Sequence, residues 1–519
     1  MGPAPWIAES IPRGRRREQA PIAQLRRLSA ALGLGLLAID DDTTSRATFL
    51  SEYVRCSLIR WQMSLRNDGR PRDGRGRNSP WHAPIAACLT QLLHELPEHQ
   101  SPAVQQDLAR YLHWLSTRHQ SSAWIEACCA GALIEGAAIV EDDSLLRRGR
   151  PRLNRLLAHQ DPEGWFPEQG GADPGRLGLM LDVLARVRDH AECPQIHEAI
   201  PRALGFLTRL VRPDGGLGAS VGTCGTGFLS PDGIERLAPD HPDAASLARV
   251  CRGRFSRLEA SRLESWSDAL CALLGARLAS AARMAIASLP EGTEDLTAWR
   301  GEVCFPNAGI GVFATGAYHA VVSGRRGGAV HVHWRSGEQE LEDEGPTVVV
   351  GHRTRTAGRF DPRTQVAIST ASMTCRGALR PTVRVRRRFL NRLRRLLGRR
   401  RVEKTPRSHS SARALPDLAH KWQERASRFQ RQIKFGDDWI AVHDELVCRR
   451  RFAAVVCHRG DSAARGAWAD RSLAEETARP PVFLDAFKRL VLTHVYRCGA
   501  LLEFCVAPAC DDPDDRRSR

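Results

Sequence analysis

Over most of the first 290 residues, apolar side chains return every three or four positions, the spacing of helices with one buried face. Residues 22–37 show it first. Residues 47–65 repeat it with Leu50, Tyr53, Val54, Leu58, Trp61 and Leu65, and the pattern predicts further helices over 83–96, 103–117, 123–140, 143–159, 176–189, 193–210, 244–258 and 263–285. Short Gly/Pro turns join most of them. Past Pro290 the period drops to two: 303–313, 317–323, 329–334, 347–350 and 366–372 alternate and are separated by Gly or charged turns, and 431–447 reads as a hairpin around Gly436-Asp437-Asp438. The expected architecture is an α+β multidomain chain. An N-terminal α/α toroid, an incomplete barrel, occupies 21–290, and an antiparallel β-sandwich domain occupies 300–508. Residues 1–20 read as a disordered basic arm, 510–519 as a charged tail, and 67–80, rich in Gly, Pro and charge, as a lid-like loop.

The toroid rests on recurring turns. Residues 161–175 read D-P-E-G-W-F-P-E-Q-G-G-A-D-P-G, too crowded with turn formers for a helix interior. Pro213-Asp214-Gly215 repeats its Pro162-Glu163-Gly164 turn, and Pro231-Asp232-Gly233 gives a third copy. Similar turns at the ends of successive helical hairpins line one face of such a fold.

Charge changes the picture only locally. The net charge is +17, but residues 376–407 hold thirteen Arg and one Lys against Glu403, so the rest of the chain is close to balanced. Within that stretch Phe389, Leu393, Leu396 and Leu397 share one helical face, surrounded by arginines, which predicts a basic amphipathic helix inserted in the sandwich at about 384–401. From Arg384 to Arg401 it suits an anionic membrane surface or an acidic partner; the alternative is an insertion whose arginines are simply solvated. Aromatic interleaving is absent, which argues against nucleic acid. No uncharged apolar run approaches the ~18 residues of a membrane span, and no secretory signal is visible. Fifteen cysteines without a C-x-x-C pair read as reduced thiols. The expected location is cytoplasmic, with peripheral attachment at the inner face of the membrane as an option.

Candidate chemistry sits in two places. His331 and His333, two apart on a predicted strand, project from one face and can address a substrate, a metal, or both. Their alternative is a solvated strand face. In the 161–175 loop, Glu168 and Asp173 flank a Gly pair, and Trp165 and Phe166 offer apolar faces for a sugar ring. The structural alternative has the tryptophan plugging a hairpin end and the acids capping helices.

The order of these motifs resembles the heparinase II/III-like polysaccharide lyases, as a divergent branch. Glu163-Gly164 and Glu168 are similar to that family's D-G-x-x-x-E loop. Gly327-Gly328-Ala329-Val330-His331-Val332-His333, with Leu341-Glu342-Asp343-Glu344-Gly345, resembles its H-x-H strand and later D-x-G, and residues 433–446 resemble its sandwich hairpin with Asp444 near the end. The resemblance implies β-elimination on, or binding of, an acidic uronate-containing polysaccharide in a cleft between toroid and sandwich. It places His331 in the catalytic role, Arg176 on the carboxylate, and Glu168 with Asp173 in the loop. Around a structural zinc it places His333, Asp343 and His352. The chain departs from the pattern where the loop's tyrosine belongs, which is occupied by Asp173. Two other readings stay open: a non-catalytic scaffold that binds glycan or protein and docks on anionic lipid through the Arg-rich helix, and a terpene-cyclase-like toroid. The only D-x-D-D match for the latter lies at Asp512 to Asp515.

Overall fold

A computed structural model of the chain describes residues 20–39, 44–72, 79–120, 122–188, 190–191, 193–218, 221–255, 268–285, 290, 293–336, 340–350, 353–381, 427–448, 454–457, 482–483, 489–497 and 500–508. The expected basic arm, the 384–401 segment, His352 and the charged tail lie outside them.

The first half is helical: α1 (Ala20–Ile39), α2 (Thr44–Met63), α3 (His82–Glu95), α4 (Pro102–Ser116), α5 (Ala123–Ile139), α6 (Asp143–Leu157), α7 (Pro174–Val187), α8 (Pro194–Leu210), α9 (Asp232–Leu237), α10 (Pro242–Phe255) and α11 (Asp268–Met284). Side-chain oxygens of Ser101, Ser122, Asp142 and Asp173 accept from backbone N–H groups in the first turns of α4 to α7, so four helices start where a capping residue satisfies an orphan donor. Proline in the first turn of α4, α7 and α8 costs no hydrogen bond there.

Packing follows the width of each apolar face. Helices α5 and α7 are buried nearly all round, whereas α6 and α8 bury one stripe and expose charge on the other. Accordingly α1 packs on α3, α3 on α5, α5 on α7, α7 on α9, α9 on α11, and α11 back on α1, with α2, α4, α6, α8 and α10 outside them. One expected turn is corrected: Pro231-Asp232-Gly233 opens α9 instead. Asp232 is buried there and bonds Arg236 one turn on, so the proline acts as a helix starter.

The second half forms three antiparallel sheets. The first runs β1 (Gly301–Phe305), β2 (Ile310–Ala314), β3 (Tyr318–Ser323), β4 (Ala329–Trp334), β5 (Glu340–Asp343) in order. The second contains β6 (Pro346–Val350), β7 (Arg353–Thr356), β10 (Arg380–Pro381), β13 (Ala454–Cys457) and β14 (Val482–Phe483); the third contains β8 (Gln365–Ser369), β9 (Ser372–Ala378), β11 (Ser427–Phe435), β12 (Trp439–Cys448), β15 (Arg489–Arg497) and β16 (Ala500–Pro508). Residues 303–313, read as one strand, are the β1–β2 hairpin, because Pro306-Asn307-Ala308-Gly309 turns the chain and Gly309 takes φ +70°. None of the sheets closes into a barrel.

The central strands of the first sheet, β2 to β4, bury both faces. Phe313, Tyr318, Val330, Val332 and Trp334 pack with Met373, Phe429, Ile433, Ile440, Val442 and Leu492 of the third sheet, while Ile310, Val312 and Val321 belong to the core of the helices. Inside the sandwich lies one fully enclosed cation. Arg431, 1% exposed, donates to Asp343 at 2.9 and 3.0 Å, to Asp444 at 2.8 and 3.1 Å and to the Gly328 carbonyl at 3.1 Å. Burial works against ionised Asp343, yet Arg431 holds its carboxyl below the usual range; at Asp444 burial wins and the carboxyl is raised.

Removing the cation strands two buried carboxylates. Arg431→Met is expected to lose about 3–5 kcal/mol of unfolding free energy in denaturant titration, and Arg431→Met with Asp343→Asn and Asp444→Asn to recover part of it.

Candidate functional site

Register decides which way the histidines face. In β3 and β4, His319 pairs with His333 and Val321 with His331, while Tyr318 pairs with Trp334 and Val322 with Val330. The aromatic and valine set is in the sandwich core. His319, His331 and His333 therefore share the opposite face, turned to the helices. Three contacts fix that seam: a Cβ on Gly218 would lie 2.5 Å from the His331 ring, Ser323 donates to the Val221 carbonyl at 3.0 Å, and the Trp299 and His319 rings meet edge-on at 6.2 Å. Only glycine at 218 lets the helical region lie on His331.

The 161–175 loop meets the same sheet at its other end. Asp161 and Trp165 close a turn in which Gly164 takes φ +101° and a side chain would collide with the Arg202 carbonyl. The Glu163 carboxylate then accepts from the backbone N–H of Asn307 at 2.7 Å and of Ala308 at 2.9 Å, in the β1–β2 turn, and from the Trp165 indole at 3.0 Å. Trp165 and Phe166, expected as sugar-stacking faces, are corrected to core residues, 6% and 2% exposed. Both fill the helical interior.

Glu168 and Asp173 are engaged by their own surroundings. Glu168 accepts from Ser122 at 2.8 Å, from the Trp124 amide at 2.6 Å and from Arg176 at 3.0 Å, tying the loop to the start of α5. Asp173 caps α7 through the Arg176 amide at 2.9 Å and takes the Cys224 amide at 2.6 Å. Burial raises the Asp173 carboxyl despite those amides. Burial and then Asp173 push the Cys224 thiol up to about 11, so it is no activated nucleophile. Arg176, paired with Glu168, also stands 5.5 Å over the Trp124 ring, which meets Trp81 edge-on at 6.0 Å. The loop and the starts of α5 and α7 thus bring Glu168, Asp173 and Arg176 together.

Across the seam, His331 Nδ1 lies 3.4 Å from Glu342 Oε1, and both residues are buried. Sequence reasoning missed three groups beside them. Arg326, whose Nε finds no acceptor, is lowered by burial, against which the charges of Glu344, Asp173 and Glu342 act. It directly precedes the Gly327-Gly328 pair, and that adjacency was the available signal. Asp214 accepts from Arg212 at 2.9 Å and Arg254 at 2.6 Å; burial opposes its charge, but the two arginines, with His333, hold it well below the usual range. His319 is the third.

Of the expected zinc set, His352 lies outside the described residues, and His333 and Asp343 do not meet. Asp343 pairs with Val330 and so faces the sandwich, on the other side of the sheet from His333, and its oxygens are taken by Arg431, the Gly345 amide and Tyr496. Among the described residues no group of three or more His, Cys, Asp or Glu is placed to hold a metal. No tyrosine replaces the missing loop residue. Tyr111 donates to the His82 carbonyl in the helical core, Tyr318 to Gly436 and Tyr496 to Asp343 in the sandwich, and Tyr53 packs against the helical core from α2.

No family model and no curated protein matches the chain. Among solved structures it is similar to a chondroitin AC lyase of Streptomyces coelicolor in complex with chondroitin sulphate, at 11% identity and TM-score 0.45 over 82% of this chain and 62% of that one. It is similar also to a Paenibacillus xanthan lyase, at 11% and 0.47 over 84% and 42%, and to heparinase III, at 9% and 0.49 over 80% and 63%. These structural neighbours are polysaccharide lyases, and the chain spans less than two thirds of each.

The seam carries its own pH dependence. Burial, then Arg335, lowers His319 from 6.5 to about 3, so the folded state keeps it neutral where an unfolded chain protonates it. Its contribution is full above about pH 6.5 and is lost as pH falls towards 3, on the order of 2–4 kcal/mol across that window. His319→Gln should flatten the stability profile there, measured as denaturant midpoints at stepped pH; an unchanged slope contradicts it.

Proposed function

We propose that the chain is a divergent heparinase II/III-like, carbohydrate-active protein, its helices forming an incomplete toroid, that takes an acidic uronate-containing polysaccharide at the seam between helices and sheet. The observation that carries this reading is the face of β3 and β4: its histidines turn to the helices, with His331 beside Glu342.

β-Elimination needs a cation to neutralise the uronate carboxylate, a base for the proton on the neighbouring carbon and an acid for the departing oxygen. Arg176 and Arg326 supply the first. His331, oriented by Glu342, takes the proton and returns it to the leaving oxygen, while Glu168 and Asp173 hold the loop and the start of α7. Since His331 is 2% exposed, the stretch around Gly218 must leave the ring before a glycan reaches it.

A second reading, a scaffold that binds the same glycan without cleaving it, draws on a different observation: Glu168 and Asp173 are already spent on local donors, and no tyrosine of the described residues reaches the seam. Docking of that scaffold on anionic lipid through the 384–401 segment is part of the reading and is checked by vesicle sedimentation with and without the segment.

Uronate-containing polysaccharides incubated with the full chain should develop the ultraviolet absorbance of an unsaturated product. His331→Ala should lower the rate about 100-fold or more with unchanged circular dichroism. A flat trace across a broad panel removes elimination, and calorimetric binding of the same glycans then decides for the scaffold.

A further inference from the structure

The helical region gathers its exposed apolar side chains in one place. Six large hydrophobic residues are exposed among the described residues, and four of them, Leu37, Phe49, Ile59 and Met63, belong to α1 and α2. Single exposed apolar residues are ordinary on a protein surface, but a cluster of them marks a contact. Helix α2 lies outside the ring formed by α1, α3, α5, α7, α9 and α11, and its inward face is already used, with Leu50, Val54, Leu58 and Trp61 buried. On its outward face Phe49, Cys56 and Met63 recur every seven residues, about 10 Å apart along the axis, with Ile59 beside them. Phe49 and Met63 are 64% and 70% exposed, and Cys56 is exposed too.

Charge on the same face is placed symmetrically. Glu52 precedes Cys56 by four residues and Arg60 follows it by four, as Phe49 precedes it and Met63 follows it by seven. A second copy of α2 laid antiparallel, on a two-fold axis through Cys56, therefore brings Phe49 level with the partner's Met63 and Glu52 level with the partner's Arg60, each contact occurring twice. A parallel copy would instead bring Glu52 to Glu52 and Arg60 to Arg60, an arrangement that like charges oppose. Glu52 accepts from Arg55 at 2.7 Å, in a pair whose side chains are 51% and 60% exposed. Such a pair is worth little in water, so Glu52 can turn to a partner at small cost.

We propose that the outward face of α2 is the interface of a symmetric homodimer, in which α2 packs antiparallel on the same helix of a second copy of this chain. Phe49, Ile59 and Met63 supply the apolar contact, pairs between Glu52 and the partner's Arg60 fix direction and register, and the two Cys56 thiols meet on the axis. A contact confined to one helix is small for a specific interface, so the association belongs to the micromolar range. The proposal stands on α2 alone, and a failure of uronate elimination leaves it in place.

The test is sedimentation equilibrium of the full chain, thiols kept reduced, at concentrations up to about 200 μM, with a short bismaleimide as the proximity probe. Wild type should dimerise, and the cross-linker should give a covalent dimer that Cys56→Ser abolishes. Phe49→Glu with Met63→Glu should weaken the dimer about tenfold or more; both side chains are exposed, and circular dichroism checks the fold. Glu52→Arg alone sets cation against cation at both ends and should weaken it likewise, whereas Glu52→Arg with Arg60→Glu restores the pairing and should return the affinity to within about threefold of wild type. A role of these residues in the fold of α2 alone would show no such rescue. A wild type that stays monomeric, or a dimer indifferent to these variants, overturns the proposal. In the monomeric case, a Cys56 that does not react with maleimide assigns the face to cover by the chain's own residues. Pelleting of a reactive monomer with anionic vesicles, lost in Phe49→Glu with Met63→Glu, assigns it to lipid.

Discussion

The arrangement depends on one sheet whose central strands, β2 to β4, have no wet face. β1 to β5 lie between the helices and the third sheet, so every side chain of β3 and β4 must be placed in one core or the other. Alternation then sorts them without further choice. Val330, Val332 and Trp334 go to the sandwich, and His331 and His333, one position out of step, go to the helices. A slip of one residue in the β3–β4 register would bury the histidines among leucines and valines. The small residues of the neighbouring loop belong to the same constraint, because the close approach of Gly218 to the His331 ring exists only if the imidazole faces that way.

Each face of that sheet also carries charge, and the two faces treat it differently. On the sandwich side Arg431 is enclosed with two aspartates, beside the Gly328 carbonyl, the Gly345 amide, the Tyr496 hydroxyl and His494. That cluster ties β5 to β11 and β12 and has no route for a ligand. On the helical side the charges are spread among Glu168, Arg176, Asp173, Arg326 and Glu342, and some have imperfect partners, as at Arg326 Nε. Elimination chemistry asks for the second kind of environment: cations near acids, with a base whose proton can move.

Much of the course of the chain was legible because its signals are local. Apolar spacing of three and four located helices within a few residues, and alternation after Pro290 located strands such as Ala329–Trp334. The candidate site was legible only in part. That His331 and His333 share a face follows from their spacing, whereas which core they face depends on what packs behind them. Trp165 and Phe166 read either as faces for a sugar ring or, for the tryptophan, as the plug of a hairpin end, and the turn at Gly164 folds both inward. Asp343 looked like a partner for His333 by sequence order, yet pairing β4 with β5 puts it opposite Val330. Arg326 escaped notice because its significance lies in the charges of Asp173 and Glu344 that act on it, far away and near in sequence, which no spacing rule encodes.

Net charge was the least informative of the sequence signals, and the reason is pairing. A chain at +17 invites a polyanion along its whole surface, but most of the described arginines in the helical core are occupied: Arg152 by Glu126, Arg186 by Glu135, Arg212 and Arg254 by Asp214, Arg236 by Glu95 and Asp232. Such pairs hold helices in place and present little field to a ligand, since each guanidinium is neutralised within 3 Å. Anion recognition by this chain is therefore set by the position, not the number, of the described arginines that the fold leaves uncommitted.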